Sequence, residues 1–340
     1  MAHATDPARA YRPPWWLRNG HVQTVFASQG RSVPPVAYRR ERLDTDDGDF
    51  IDLDWLTRPA PSNGAPGAPP PPTLAVVAHG LEGNTHRPYV RGMVHALHTT
   101  GLDVLAWNFR GCSEEPNRLL RSYHSGATDD LRRILQHAGR CGYPTCALVG
   151  FSLGGNLTLK FLAEEGDEAQ RRIAAAVAIS VPVDLAAGAA HLARWENRGY
   201  MVYFMRKLRR KVYEKAQRYP ELSTEGLDRM RTFQAFDDAY TAPIHGFRDA
   251  EDYWARCSAR PHLHRIAVPT LVINAADDPF LPPACYPYAE AATSPYLTLD
   301  VPAHGGHVGF ATRDGAYWSE RRAADFFAQH IAMPSEAEVG

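Results

Sequence analysis

From residue 73 to residue 306 the chain repeats one pattern: a short apolar run rich in β-formers, a loop, then a stretch with helical spacing. The β-type runs are TLAVVAHG, LDVLAWNFRG, CALVGFS, IAAAVAISVP, PTLVINAADDP and YLTLDVPAHGG, with helical patterns at YVRGMVHALHTTG, ATDDLRRILQHAGR and GNLTLKFLAEEG between the first four. Apolar runs of this kind are strands buried on both faces, and their alternation with helices predicts a mostly parallel sheet with right-handed crossovers. That feature confines the chain to the α/β class. Ahead of it, residues 36 to 57 read as a hairpin, because YRRERLDT and FIDLDWLT flank Asp46-Asp47-Gly48-Asp49 and Ile51, Leu53 and Trp55 alternate onto one face. The stretch PAPSNGAPGAPPPP, residues 59 to 72, suits an exposed loop. The alternation breaks between about residues 184 and 262, where Met205, Leu208, Val212, Ala216 and Tyr219 share a helical face. The expected organisation is a core of residues 1–183 and 263–340 with a helical cap inserted at 184–262.

Composition narrows the function classes. Lys and Arg number 37 against 38 Asp and Glu, so no global charge draws the chain to nucleic acid. The five cysteines, Cys112, Cys141, Cys146, Cys257 and Cys285, are odd in number and contain no Cys-x-x-Cys pair. They make a poor disulfide framework or zinc site and fit a reducing compartment. No signal-like apolar run opens the sequence and no segment offers about 18 uninterrupted apolar residues. The expectation is a soluble, cytoplasmic protein, with its oligomeric state left open.

The chemistry concentrates in Val149-Gly-Phe-Ser-Leu-Gly-Gly-Asn156. Gly-x-Ser-x-Gly arises by chance roughly 0.1 times in a chain of this length, so context must carry the assignment. Here CALVG reads as a strand ending at the motif and GNLTLKFLAEE as a helix starting after it, the strand, sharp turn and helix of a nucleophile elbow exposing Ser152 Oγ. A serine hydroxyl is a weak nucleophile and needs a base, itself oriented by an acid. Asp278, in NAADDPFLP, and His307, in HGGHVGF, both follow strand candidates, where ligands gather in open α/β sheets. Asp277 and His304 compete with them. An oxyanion needs preorganised N–H donors, expected from the amides of Leu153, just after the serine, and Leu81, in the His79-Gly80-Leu81 loop.

With these residues in place the chain resembles the α/β-hydrolase superfamily, and within it the YheT-like esterases and their eukaryotic ABHD-type relatives, the AB hydrolase 4 family. The resemblance runs from about Pro13 to about Phe327 through PPWWLRNGHVQTVFAS, HGLEGNTHRPYVRG, NFRGC, GFSLGGN, FDDAYTAPIHGF, NAADDPFLP and HGGHVGF. It implies an α/β-hydrolase fold with Ser152 as nucleophile, Asp278 as acid and His307 as base, and it places Phe236-Asp237-Asp238 in the cap or pocket wall. Trp254 departs from the tyrosine common in relatives. The implied activity is hydrolysis of a carboxylic ester of a small molecule or lipid, with acyl transfer or thioester cleavage by the same residues as alternatives. A non-catalytic lipid-binding or interaction protein on the same scaffold is the alternative from a different class.

Weaker signals are read more plainly. Residues 206 to 218 carry seven Lys or Arg against Glu214, a solvated helix face or a weak contact with an anionic membrane surface. His86, His95 and His98 lack an accompanying carboxylate motif, so no metal is expected, and no phosphate cradle or other cofactor site is present. Trp15 and Trp16 are expected to pack against the hairpin, and Cys112 to be a buried thiol.

Overall fold

The computed structural model describes residues 11–58 and 73–331, so the loop expected at 59 to 72 lies outside the described residues. The hairpin forms as β1 (Arg39–Asp44) and β2 (Phe50–Leu56), joined through Gly48, whose φ of 83° suits a residue without a Cβ. Ile51, Leu53 and Trp55 enter one core layer, while Asp52 and Asp54 on the opposite face are buried in ion pairs with Arg42 and Arg40. Charged residues therefore occupy a buried strand without uncompensated charge.

Six further strands follow the six apolar runs: β3 (Leu74–Ala78), β4 (Asp103–Trp107), β5 (Cys146–Phe151), β6 (Ile173–Ile179), β7 (Thr270–Ile273) and β8 (Leu297–Asp300). The sheet order is β1-β2-β4-β3-β5-β6-β7-β8. The β1/β2 and β2/β4 pairs are antiparallel, and all others are parallel. The alternate residues of β3 and β5 show why these strands are apolar throughout. Val77 and Val149 pack with helix α2 (Pro88–Thr99) and the C-terminal helix, whereas Val76 and Leu148 pack with α3 (Thr128–Arg140) and α4 (Leu153–Glu165). The sheet is thus buried on both faces by helices.

Between β6 and β7 the regular elements are helical: α5 (Leu185–Leu192), α6 (Arg198–Ala216), α7 (Phe233–Phe236), α8 (Ala242–Ile244) and α9 (Ala250–Cys257). Met201, Met205 and Val212 of α6 are buried in a cluster with Phe236, Tyr240 and Phe280, while Tyr219 lies beyond the helix end. The chain closes with α10 (Tyr288–Thr293) and α11 (Trp318–His330). Near the start, α1 (Gly20–Val25) is capped by Asn19, whose side chain accepts from the amides of His21 and Val22. Trp15 and Trp16 differ from expectation: they are 74% and 49% exposed, and Trp16 meets Phe26 edge-on rather than the hairpin. Among the described residues no helix is long and apolar enough to cross a membrane.

Candidate active site

The carboxyl ends of the parallel strands converge on one small region. Ser152 sits between β5 and α4 with φ 52° and ψ −117°, a conformation that costs a non-glycine residue about 1–3 kcal/mol and persists only where its surroundings impose it. The imposing contacts are the Ser152 amide, which donates to Ile179 O at 2.8 Å, and the Ser152 carbonyl, which accepts from the Asn156 amide at 3.0 Å. The flanking glycines follow from close backbone approach. A Cβ on Gly150 would lie 2.3 Å from Gly154 O, and one on Gly154 would lie 2.4 Å from His79 O. Only hydrogen fits at either position, so the motif is a packing requirement before it is a chemical one.

His307 Nε2 lies 2.9 Å from Ser152 Oγ, and His307 Nδ1 lies 2.9 and 3.1 Å from the two carboxylate oxygens of Asp278. Asp278 and His307 are both buried. Asp278 also accepts from the Phe280 amide at 2.8 Å, and the Phe280 ring stacks on His307 with centroids 4.1 Å apart. The carboxylate and imidazole are therefore held in one orientation. The competing residues pair with each other instead: His304 Nδ1 lies 3.3 Å from Asp277, which also accepts from the Gly306 amide at 2.8 Å. Adjacent aspartates face two different histidines.

The loop bearing His307 rests on α1. Thr24 Oγ1 accepts from the His307 amide at 2.8 Å and donates to Gly20 O at 2.7 Å, and a Cβ on Gly306 would lie 2.3 Å from that same carbonyl. Gln23 Oε1 accepts from the Tyr11 hydroxyl and the Ala311 amide. The RNGHVQT segment thus forms the platform beneath the histidine, a role visible only once residues separated by some 280 positions meet.

Leu81 and Leu153 line the same cavity as Ser152 and His307, a space of about 190 Å³. Leu153 opens α4, where a first-turn amide has no intrahelical partner. The Leu81 loop is fixed from below by His79, whose Nδ1 lies 2.7 Å from Gly80 O while Nε2 accepts from the Phe109 amide at 3.1 Å. Burial pushes the His79 pKa down to about 3, so the ring stays neutral and keeps one donor and one acceptor. Tyr89 Oη accepts from the Gly80 amide at 3.0 Å.

Leu192, Phe204, Phe233 and Phe236, all from the chain between β6 and β7, give the cavity an apolar wall. Asp237 of the FDD segment lies in that wall, accepting from Thr241 Oγ1 at 2.6 Å and from Trp254 Nε1 at 2.9 Å. Trp254, the position that departs from the tyrosine common in the family, thus supplies a hydrogen-bond donor to Asp237. Burial raises the Asp237 pKa to about 7.

Residues 206 to 218 behave as neither a uniform solvated face nor a single charged stripe. Arg206, Arg210 and Arg218 are exposed, whereas Lys207, Lys211 and Lys215, four residues apart, turn inward to Glu82 O, the Glu82 carboxylate and Asn117 Oδ1 respectively. The four-residue spacing was a signal in the sequence, but it did not reveal acidic and carbonyl partners over 90 residues away. Buried Cys112 lies 3.0 Å from Lys211 Nζ. Among the described residues, no group of three or more His, Cys, Asp or Glu is disposed to hold a metal.

A serine elbow beneath an imidazole and carboxylate, on a mostly parallel sheet with helices on both faces, defines the class. The alpha/beta hydrolase fold family model matches residues 75–314, and the chain belongs to that family. It is 38% identical over 324 residues to the Escherichia coli K12 protein named "Putative esterase YheT", covering 93% of this chain and 92% of that one. It is also similar to "Phospholipase ABHD3" of Mus musculus, 29% identical over 317 residues, covering 91% and 75% of the two chains. The solved Pyrococcus furiosus esterase Pf2001 superposes with a TM-score of 0.58 at 15% identity, covering 97% of this chain and 100% of that one, a likeness of fold.

Proposed function

We propose that this protein is a serine hydrolase that cleaves carboxylic esters without a cofactor. The observation that carries the reading is the continuous relay from Ser152 Oγ through His307 to Asp278, with 2.9 Å at each step. Ser152 attacks the acyl carbon while His307 Nε2 accepts its proton. Asp278 holds the Nδ1 proton in place and stabilises the imidazolium that forms. The Leu81 and Leu153 amides receive the oxyanion, and their orientation is set before substrate arrives. His307 then protonates the leaving alcohol, and water repeats the cycle on the acyl-serine.

An apolar wall beside Ser152 suits the hydrocarbon part of a fatty ester, and relatives named esterase and phospholipase fit that class. Purified native protein and Ser152→Ala are treated with a fluorophosphonate probe and with p-nitrophenyl esters of graded chain length. Ser152→Ala is expected to lose labelling and to lower kcat by up to about 10⁶. Full activity in Ser152→Ala, or no labelling of folded native protein, would refute the reading. Product analysis with a competing alcohol separates hydrolysis from acyl transfer.

A further inference from the structure

Glu82 directly follows the candidate oxyanion donor Leu81, and its setting is unusual for a loop residue. The Gly83 amide donates to Gly80 O at 3.0 Å, closing a turn in which Glu82 is the third residue with φ 53°. That position of a turn with positive φ ordinarily takes glycine or asparagine. Glu82 is nevertheless buried there, and its polar groups are engaged. Its amide donates to Tyr123 Oη at 2.9 Å, and the Tyr123 hydroxyl donates back to Glu82 Oε1 at 2.8 Å. Lys211 Nζ lies 2.8 Å from the same carboxylate oxygen. The Glu82 carbonyl accepts from Lys207 Nζ at 2.9 Å and from Arg87 Nη2 at 3.2 Å.

Two of these partners, Lys207 and Lys211, lie one turn apart on α6, in the helical segment that also walls the cavity. They do not form an anion pocket for substrate. Lys211 is paired to Glu82, and the ammonium of Lys215 meets Asn117 Oδ1, Leu119 O and Arg121 O, an acceptor for each of its three protons. The lysine row faces the protein's own loop rather than an incoming charge.

We propose that Glu82 is a positioning residue for the oxyanion hole, held by Tyr123 and by Lys211 so that the seating of α6 sets the direction of the Leu81 amide. The proposal rests on the serine-esterase reading above. Without the carboxylate bridge, the turn relaxes toward negative φ at residue 82. The Leu81–Glu82 peptide then rotates, and the preceding amide leaves the position the oxyanion will occupy. An oxyanion donor acts only as charge develops, so its loss appears in kcat rather than in ground-state binding.

Glu82→Gln, Lys211→Met and Tyr123→Phe, with Lys211→Arg as the conservative comparator, are assayed on p-nitrophenyl butyrate. Each is also titrated with an alkyl trifluoromethyl ketone, whose serine adduct carries an oxyanion, and with the unfluorinated ketone of the same shape. The first three variants are expected to lose about 10- to 100-fold in kcat with KM within about threefold of native. Trifluoromethyl ketone affinity should fall in parallel, unfluorinated ketone affinity should hold, and Lys211→Arg should retain most activity. Tyr123→Phe removes a single hydroxyl and carries the test where Lys211→Met does not fold. Native kcat in the folded variants, a change confined to KM, or equal loss of affinity for both ketones overturns the positioning role alone. A native protein without turnover or Ser152-dependent labelling overturns the serine-esterase reading, and this role with it.

Discussion

Asparagine at position 278 is the sharpest probe of the proposed relay, because the structure dictates how its amide must sit. Asp278 Oδ1 accepts from the Phe280 amide at 2.8 Å, and Oδ2 lies 2.9 Å from His307 Nδ1. In Asp278→Asn the carbonyl oxygen keeps the Phe280 bond, since the opposite orientation would set two buried N–H donors against each other. The new NH₂ group then takes the closer, 2.9 Å position against Nδ1, ahead of the carbonyl oxygen at 3.1 Å, and favours the tautomer in which Nδ1 is the acceptor. The imidazole proton moves to Nε2 and points at Ser152 Oγ, leaving no base for the serine. The expected loss in kcat is on the order of 10⁴, equivalent to about 5 kcal/mol of transition-state stabilisation. Asp277→Asn is the matched control: its carbonyl can keep the Gly306 amide and only the 3.3 Å contact to His304 is lost, so kcat should stay within about tenfold of native. Both variants are compared by kcat and KM on p-nitrophenyl butyrate, with thermal unfolding to verify folding. A larger loss in Asp277→Asn, or Asp278→Asn within tenfold of native, would refute the assignment of acid and base.

Two further outcomes test the framework around the site. Asn156 is fully buried on α4, donating to Ser125 O and Cys257 O and accepting from the Ala259 amide, so Asn156→Leu should cost about 3–6 kcal/mol in urea unfolding, and a loss below about 1 kcal/mol would contradict that bracing role. The Asp237 carboxyl, raised by burial from 3.8 to about 7, binds its proton more tightly in the folded chain. Its stabilising contribution is therefore complete below pH 3.8 and is lost as pH rises to about 7, at most about 4 kcal/mol in all. Asp237→Asn should flatten the stability profile between about pH 4 and 7, and a variant with the native slope there would disprove the assignment.

How much of this was legible beforehand varies with the range of the interactions involved. All six apolar runs from residue 73 onward became strands, because burial on both faces leaves a local mark in every residue. The elbow was equally legible: Gly150 and Gly154 have no alternative where two backbones approach within hydrogen-only distance. Asp277 and Asp278 show the limit. They are neighbours of identical chemistry, and which one faces His307 depends on how the loop after β7 lies against the loop after β8. The exposed Trp15 and Trp16 misled for the same reason, since an aromatic side chain carries no record of whether a partner surface reaches it.

By itself, then, the sequence determined the class of fold, the strained serine turn and the arrival of Asp278 and His307 in the loops after β7 and β8, since periodicity, glycine placement and chain order are local properties. Only the tertiary structure decided which aspartate meets which histidine, that RNGHVQT underlies the His307 loop, and that Lys207 and Lys211 of α6 turn inward to Glu82. Those facts depend on the distance between groups far apart in the chain. Hydrogen bonds and ion pairs act over about 3 Å, and no local pattern encodes so short a distance between residues 27 to 288 positions apart.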